Sequence, residues 1–174
     1  MNMITIAWLF PIIFMIHDFE EIIFVKAWRE RYQQERKNSK MKKKPFDHFK
    51  STASFSIGVE IIFLIISLTT LLSVIFHSYY IWYGLFFAIT CHFVFAHVRQ
   101  AFQFKHYTPG VTTSVIFLPI SIYLLYEATI LLEYNLMEIT LSCLVGVFLS
   151  FIIFYTLTSI ESKLEKKLID YSNK

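Results

Sequence analysis

Apolar residues in this chain gather in long unbroken runs. Five runs stand out, at about residues 3–25, 53–76, 79–98, 111–133 and 137–157. A bilayer core of about 30 Å is crossed by roughly 20 apolar residues in a helix. Lipid offers no partner to a free backbone N–H or C=O, so a spanning segment must be a helix or part of a closed barrel. Barrel strands alternate polar and apolar residues, and these runs do not. The pattern predicts an all-α, polytopic membrane helix bundle of about five transmembrane helices. Pro119, inside the fourth run, lacks a backbone donor and predicts a kink. Residues 1–158 read as one membrane-embedded helical domain with a basic loop at 26–52. Residues 159–174 read as a short amphipathic tail on the membrane surface.

Charge gives the runs a direction. Ten of the 16 Lys and Arg lie between Lys26 and Lys50. Arg99 and Lys105 follow the third run, and Lys163, Lys166, Lys167 and Lys174 follow the fifth. The other two links carry none, so with five spans every basic residue falls on one side. This predicts an outward N-terminus and a cytoplasmic C-terminus, in the plasma membrane of a bacterial cell. The basic loop reads as a topology signal resting on anionic lipid headgroups, and a nucleic-acid partner is not expected.

Composition agrees. The apolar share is 56%, with 19 Phe and a mean hydropathy of +0.54, against about 45–50% in soluble domains. Cys91 and Cys143 sit in apolar runs and imply no disulfide. The N-terminus lacks the basic region and small-residue site of a removable leader. No glycine-rich phosphate loop occurs, so nucleotide binding has no support.

Against this background the stretch MIHDFEEIIF, residues 15–24, is anomalous. His17, Asp18, Glu20 and Glu21 lie inside the first run, and ionisable groups at that depth face a partner, a cavity or a task. At 1.5 Å per residue, His17 lies about 12 Å from the cytoplasmic end, with Glu20 and Glu21 nearer it. Glu60 in the second run and His92 in the third reach roughly 9–10 Å deep, and His97 ends the third run. Glu127, Glu133 and Glu138 are expected at the outer surface. His17 shares a helical face with Glu20 and Glu21. Asp18 is expected to point elsewhere, and His92 and His97, five apart, not to share a face. The metal-ligand candidates are therefore His17, Glu20, Glu21, Glu60, His92 and His97, with zinc or iron as the ion. Glu20, Glu21 and His97 are the acid–base candidates. A second unusual stretch, HVRQAFQFKHYTPGVTTSVIFLP, predicts a turn at residues 107–110. Thr112, Thr113 and Ser114 then open a helix, as a cap or an anion site.

HDFEE at the end of a first hydrophobic run resembles the motif that names the HXXEE-motif membrane protein family. The later block resembles that family's second signature: a His near the end of a span, an aromatic-Thr-Pro step and a Thr/Ser-rich helix start. The resemblance covers residues 8–125 and implies His17, Glu20, Glu21 and His97 as marked positions. The five-residue spacing of His92 and His97 departs from the four expected of a paired HxxxH. The family has no established function, so it implies a topology and residues, not a reaction. Three readings stay open. One is a metal-dependent enzyme acting on a lipid or other apolar substrate. Another is a proton, ion or small-solute transport component, for which a single chain lacking an inverted repeat would need a homo-oligomer. The third is a protein whose His/Glu cluster only fixes helix packing.

Overall fold

The computed structural model describes residues 1–39, 41, 44–47 and 49–172. Lys40, Lys42, Lys43 and Lys174 lie outside the described residues. The fold is all-α, with no strand among those described. Helix α1 spans Met3–Arg31 and α2 Gln33–Asn38. They are followed by α3 (Thr52–Phe76) and α4 (Tyr80–His92). A π-helical turn, Phe93–Val98, joins α4 to α5 (Arg99–Phe104). Helix α6 spans Val111–Leu131, and α7 runs unbroken over Leu136–Ser172, so residues 159–172 continue the helix of the last run.

Four helical stretches are long and apolar enough to cross a membrane: Thr52–Phe76, Tyr80–Phe104, Val111–Leu131 and Leu136–Tyr171. Helix α1, expected as the first of about five spans, is not one of the four. Its second half carries His17, Asp18, Glu20 and Glu21, and all four are buried against the other helices. The opposite face of α1 exposes Ile4, Trp8, Ile12, Ile16, Phe19 and Ile23, a stripe at helical spacing. Similar stripes run along α3 (Leu64, Leu68, Leu71, Ile75) and α7 (Leu144, Phe148, Phe151, Tyr155). Apolar faces this continuous are rare on soluble monomers.

The ends of the helices follow from local sequence. Asn2 caps α1 by accepting from Thr5 N at 2.8 Å. Ser51 caps α3 by accepting from Ser54 N at 3.2 Å. Asn135 and Glu138 form a reciprocal box at the start of α7, each side chain accepting from the other's N–H, at 3.0 and 2.9 Å. Pro11 lies inside α1 and cannot donate to the carbonyl of Ala7. The Trp82 indole N–H on α4 donates to that oxygen instead, at 3.2 Å. The proline thus creates an acceptor that ties α1 to α4. Phe10 stacks on Phe86 beside it, with centroids 4.8 Å apart. Pro119 lies within α6 without interrupting it.

The core lies between α1, α3, α4 and α6, with Ile6, Phe10, Ile62, Trp82, Phe86 and Leu124 all buried. Helix α7 packs along α4, where Gly84 meets Gly146 so closely that a Cβ on either would enter the other helix's backbone.

Candidate metal centre

Three elements meet at the cytoplasm-facing end expected for α1: the HDFEE turns, the π turn after α4, and the start of α6. Each contributes for a local reason. In α1, Phe14, His17, Asp18 and Glu21 recur at helical spacing and line one cavity. The π turn widens the helix, and the N–H of Arg99 reaches back five residues to the carbonyl of Val94. Residues five apart then approach one face. This corrects the expectation for His92 and His97, whose ring centroids stand 4.9 Å apart. At the start of α6, Thr108–Pro109–Gly110–Val111 forms a tight turn closed by Val111 N–H to Thr108 O at 3.1 Å. Proline at its second position and Gly110 at φ 87° fit a type II turn.

His17, Glu21 and His97 come together and are buried, with one ligand atom from each all within 4.8 Å of one another. The two Nε2 atoms are 3.2 Å apart. His97 Nε2 is 3.3 Å from Glu21 Oε1. The other ring nitrogens are held from behind. His97 Nδ1 lies 3.3 Å from the carbonyl of Pro109, which only accepts, so Nδ1 carries the proton. His17 Nδ1 lies 2.9 Å from Thr113 Oγ1. That hydroxyl donates its one proton to Glu20 Oε2 at 2.6 Å, so it accepts from His17 Nδ1–H. With both rings neutral, both Nε2 atoms present lone pairs towards each other and towards a carboxylate.

Glu20 does different work. Gly110 has no side chain to cap α6, and the carboxylate of Glu20 fills that role from α1. Its Oε2 accepts from Thr113 N at 2.8 Å, and its Oε1 from Thr112 N at 3.3 Å and Tyr107 OH at 2.7 Å. This helix start, expected as a cap or an anion site, thus receives the protein's own carboxylate. Burial, and then the hydrogen bond to the Glu20 carboxylate, push the Tyr107 phenol above its ordinary range, so it stays a donor.

The remaining candidates separate. His92 is half-buried, stacks on Phe154 with centroids 5.4 Å apart and lines the cavity, but is outside the three-residue group. Glu60 is exposed on α3, while Val59 and Ile62 turn towards the cavity. Arg99 is exposed. Asp18, expected to point elsewhere, is only 7% exposed and lines the cavity. Thr113 and Gly110 were not singled out as site residues, although the TPG step and the Thr pair marked the place. A Cβ at Gly110 would lie 2.6 Å from His97 Nδ1 and 2.9 Å from Glu21 Oε1.

The cavity of about 330 Å³ opens beside the group. Phe46 and Phe49, from the segment before α3, form part of its wall. Arg29 at the end of α1 fixes that segment by donating to the carbonyls of Phe46, at 2.9 Å, and Phe49.

The family described as "Protein of unknown function with HXXEE motif" matches residues 8–124. No curated protein and no solved structure matches the chain.

Proposed function

The chain belongs to the family of proteins of unknown function with an HXXEE motif, and we propose that its HXXEE histidine and second glutamate, His17 and Glu21, hold a divalent metal together with His97. In this reading the protein is a membrane-embedded, metal-dependent enzyme acting on a lipid or other apolar substrate. The observation that carries it is the convergence of two imidazole Nε2 lone pairs and a carboxylate oxygen. Each histidine's Nδ1 proton is already committed, so with both rings neutral no proton lies between the two Nε2 atoms. Two such lone pairs at 3.2 Å repel unless a cation lies between them. Zinc with ligands at about 2.0–2.1 Å in tetrahedral array would space its donor atoms by about 3.3–3.4 Å. Two of the three spacings, 3.2 and 3.3 Å, fit, and the third pair lies within 4.8 Å. Ligand histidines whose other nitrogen donates to a carbonyl or polar side chain are the usual arrangement around a protein-bound metal.

Two His and one carboxylate leave coordination positions open, as catalytic zinc and non-haem iron sites do. An ion there would activate water or polarise a carbonyl or phosphoryl oxygen. Charge supports the reading too. Asp18 and Glu21 line the cavity and, among the described residues, no Lys or Arg does. A divalent ion would be drawn to the carboxylate of Glu21, one of its ligands. The stripes of exposed Ile, Leu and Phe support a lipid surround, with the basic segment against anionic headgroups.

Elemental analysis of protein purified without chelator or a His tag tests this. We expect about one zinc, iron or manganese per chain, lost in both His17→Ala and Glu21→Ala. If no preparation holds metal after loading with those three ions, the centre is a packing device and the proposal fails.

A further inference from the structure

The cavity beside the centre leaves one carboxyl oxygen without a donor. Asp18 Oδ2 is buried and has no hydrogen-bond partner among the described residues. A buried carboxylate oxygen without a donor is strongly unfavourable unless something supplies one. Asp18 stands one turn from Phe14 and one turn from Glu21 on the same face of α1. The metal group uses Glu21 and leaves Asp18 unmatched. The rest of the lining is largely aromatic: Phe14, Phe46, Phe49, Phe55 and Phe154. Phe55 stands edge-on to Phe46 and Phe49, at 6.2 and 6.0 Å between centroids. The volume, about 330 Å³, is at the small end of the roughly 300–1,000 Å³ of ligand pockets.

We propose that this cavity binds a small apolar molecule carrying a protonated amine, its ammonium received by Asp18 and its apolar part by the phenylalanines. An ammonium satisfies a buried carboxylate more completely than an alcohol or amide does, through charge-assisted hydrogen bonds. Phenylalanine faces also attract cations. A carboxylate or phosphate head would meet Asp18 as a like charge and would bring its buried oxygen no donor. The inference rests on the metal reading only for the neighbourhood: an ammonium has no lone pair for a metal, so it pairs with Asp18, the carboxylate that the three-residue group does not use.

The test uses the full chain in nanodiscs of zwitterionic lipid, titrated calorimetrically with octylamine, octanol and octanoate against blank nanodiscs. Zinc is measured in the same samples. Octylamine should bind about tenfold more tightly than the other two. Asp18→Asn should remove that preference while keeping the melting temperature and the zinc. Val59→Phe, which narrows the cavity from α3, should weaken octylamine without removing zinc. If octanol or octanoate binds as tightly as octylamine, or Asp18→Asn keeps the preference, the amine proposal is overturned. Amine selectivity in protein that never holds zinc supports the amine site and sinks the metal reading alone. Zinc without selectivity does the reverse.

Discussion

Thr113 has one hydroxyl proton and gives it to Glu20, which leaves its oxygen to receive the proton of His17 Nδ1. That single residue sets the tautomer of a proposed ligand and secures the carboxylate that caps α6. Thr113→Val keeps the shape and removes both functions. Metal affinity should fall about 10–100-fold, as when an outer partner of a ligand histidine is lost. Competition with a chromophoric chelator measures it, and unchanged affinity would dismiss the orienting role. Glu20→Gln makes a contrasting case. It weakens the cap by about 1 kcal/mol and should lower the melting temperature while stoichiometric metal remains. Loss of metal in Glu20→Gln with the fold intact would instead place Glu20 among the ligands. Sequence alone could not separate the two glutamates. Both lie within one turn of His17, and only the position of α6 decides that one meets backbone N–H groups and the other meets imidazoles. Gly110 is the tightest case. Its φ of 87° disfavours any side chain, and a methyl there would collide with His97 and Glu21. Gly110→Ala should therefore abolish metal binding even where the protein still inserts and stays monodisperse. Full metal occupancy in that variant would argue that the turn is free to move.

At the scale of elements, the π turn explains why spacing alone misled. An α-helix sets residues five apart on different faces, which is the right inference from period 3.6. Nothing in FVFAHV announces that the helix will open there. The extra residue is accommodated because the segment beyond it is pinned to α1 and α6 through His97, while α4 is pinned to α7. That second pin is the contact of Gly84 with Gly146, where small residues let two helices approach closely. It holds His92 against Phe154. Gly84→Val should separate α4 from α7 and destabilise the protein by about 1–3 kcal/mol, seen as a lower melting temperature in detergent. An unchanged melting temperature would mean that the two helices are not held there.

For the whole molecule, the helical class and four helices long and apolar enough to cross a membrane were legible because they need only length and apolarity, which are local properties. The first run was legible as a helix but not as a simple span. Its outward stripe is apolar, while its inward face carries the ionisable groups that the other helices bury. The burial of that face is a long-range outcome that composition does not contain. This matters for orientation. If the four apolar stretches cross, residues 77–79 and 132–135 share one side, and the start of α3, residues 105–110 and the end of α7 share the other, whether or not α1 crosses. Residues 77–79 and 132–135 carry no Lys or Arg, so the positive-inside assignment of the loops does not depend on α1. The side of the N-terminus does, and it lies outside only if α1 crosses. Both points yield to single-cysteine labelling in a background with Cys91→Ser and Cys143→Ser. A membrane-impermeant thiol reagent applied to intact cells should label Asn135→Cys and Asn2→Cys and leave Ser39→Cys unlabelled. Labelling of Ser39→Cys would overturn the proposed orientation of the loops. Protection of Asn2→Cys alone would keep that orientation and place α1 as a helix that enters from the cytoplasmic side without crossing.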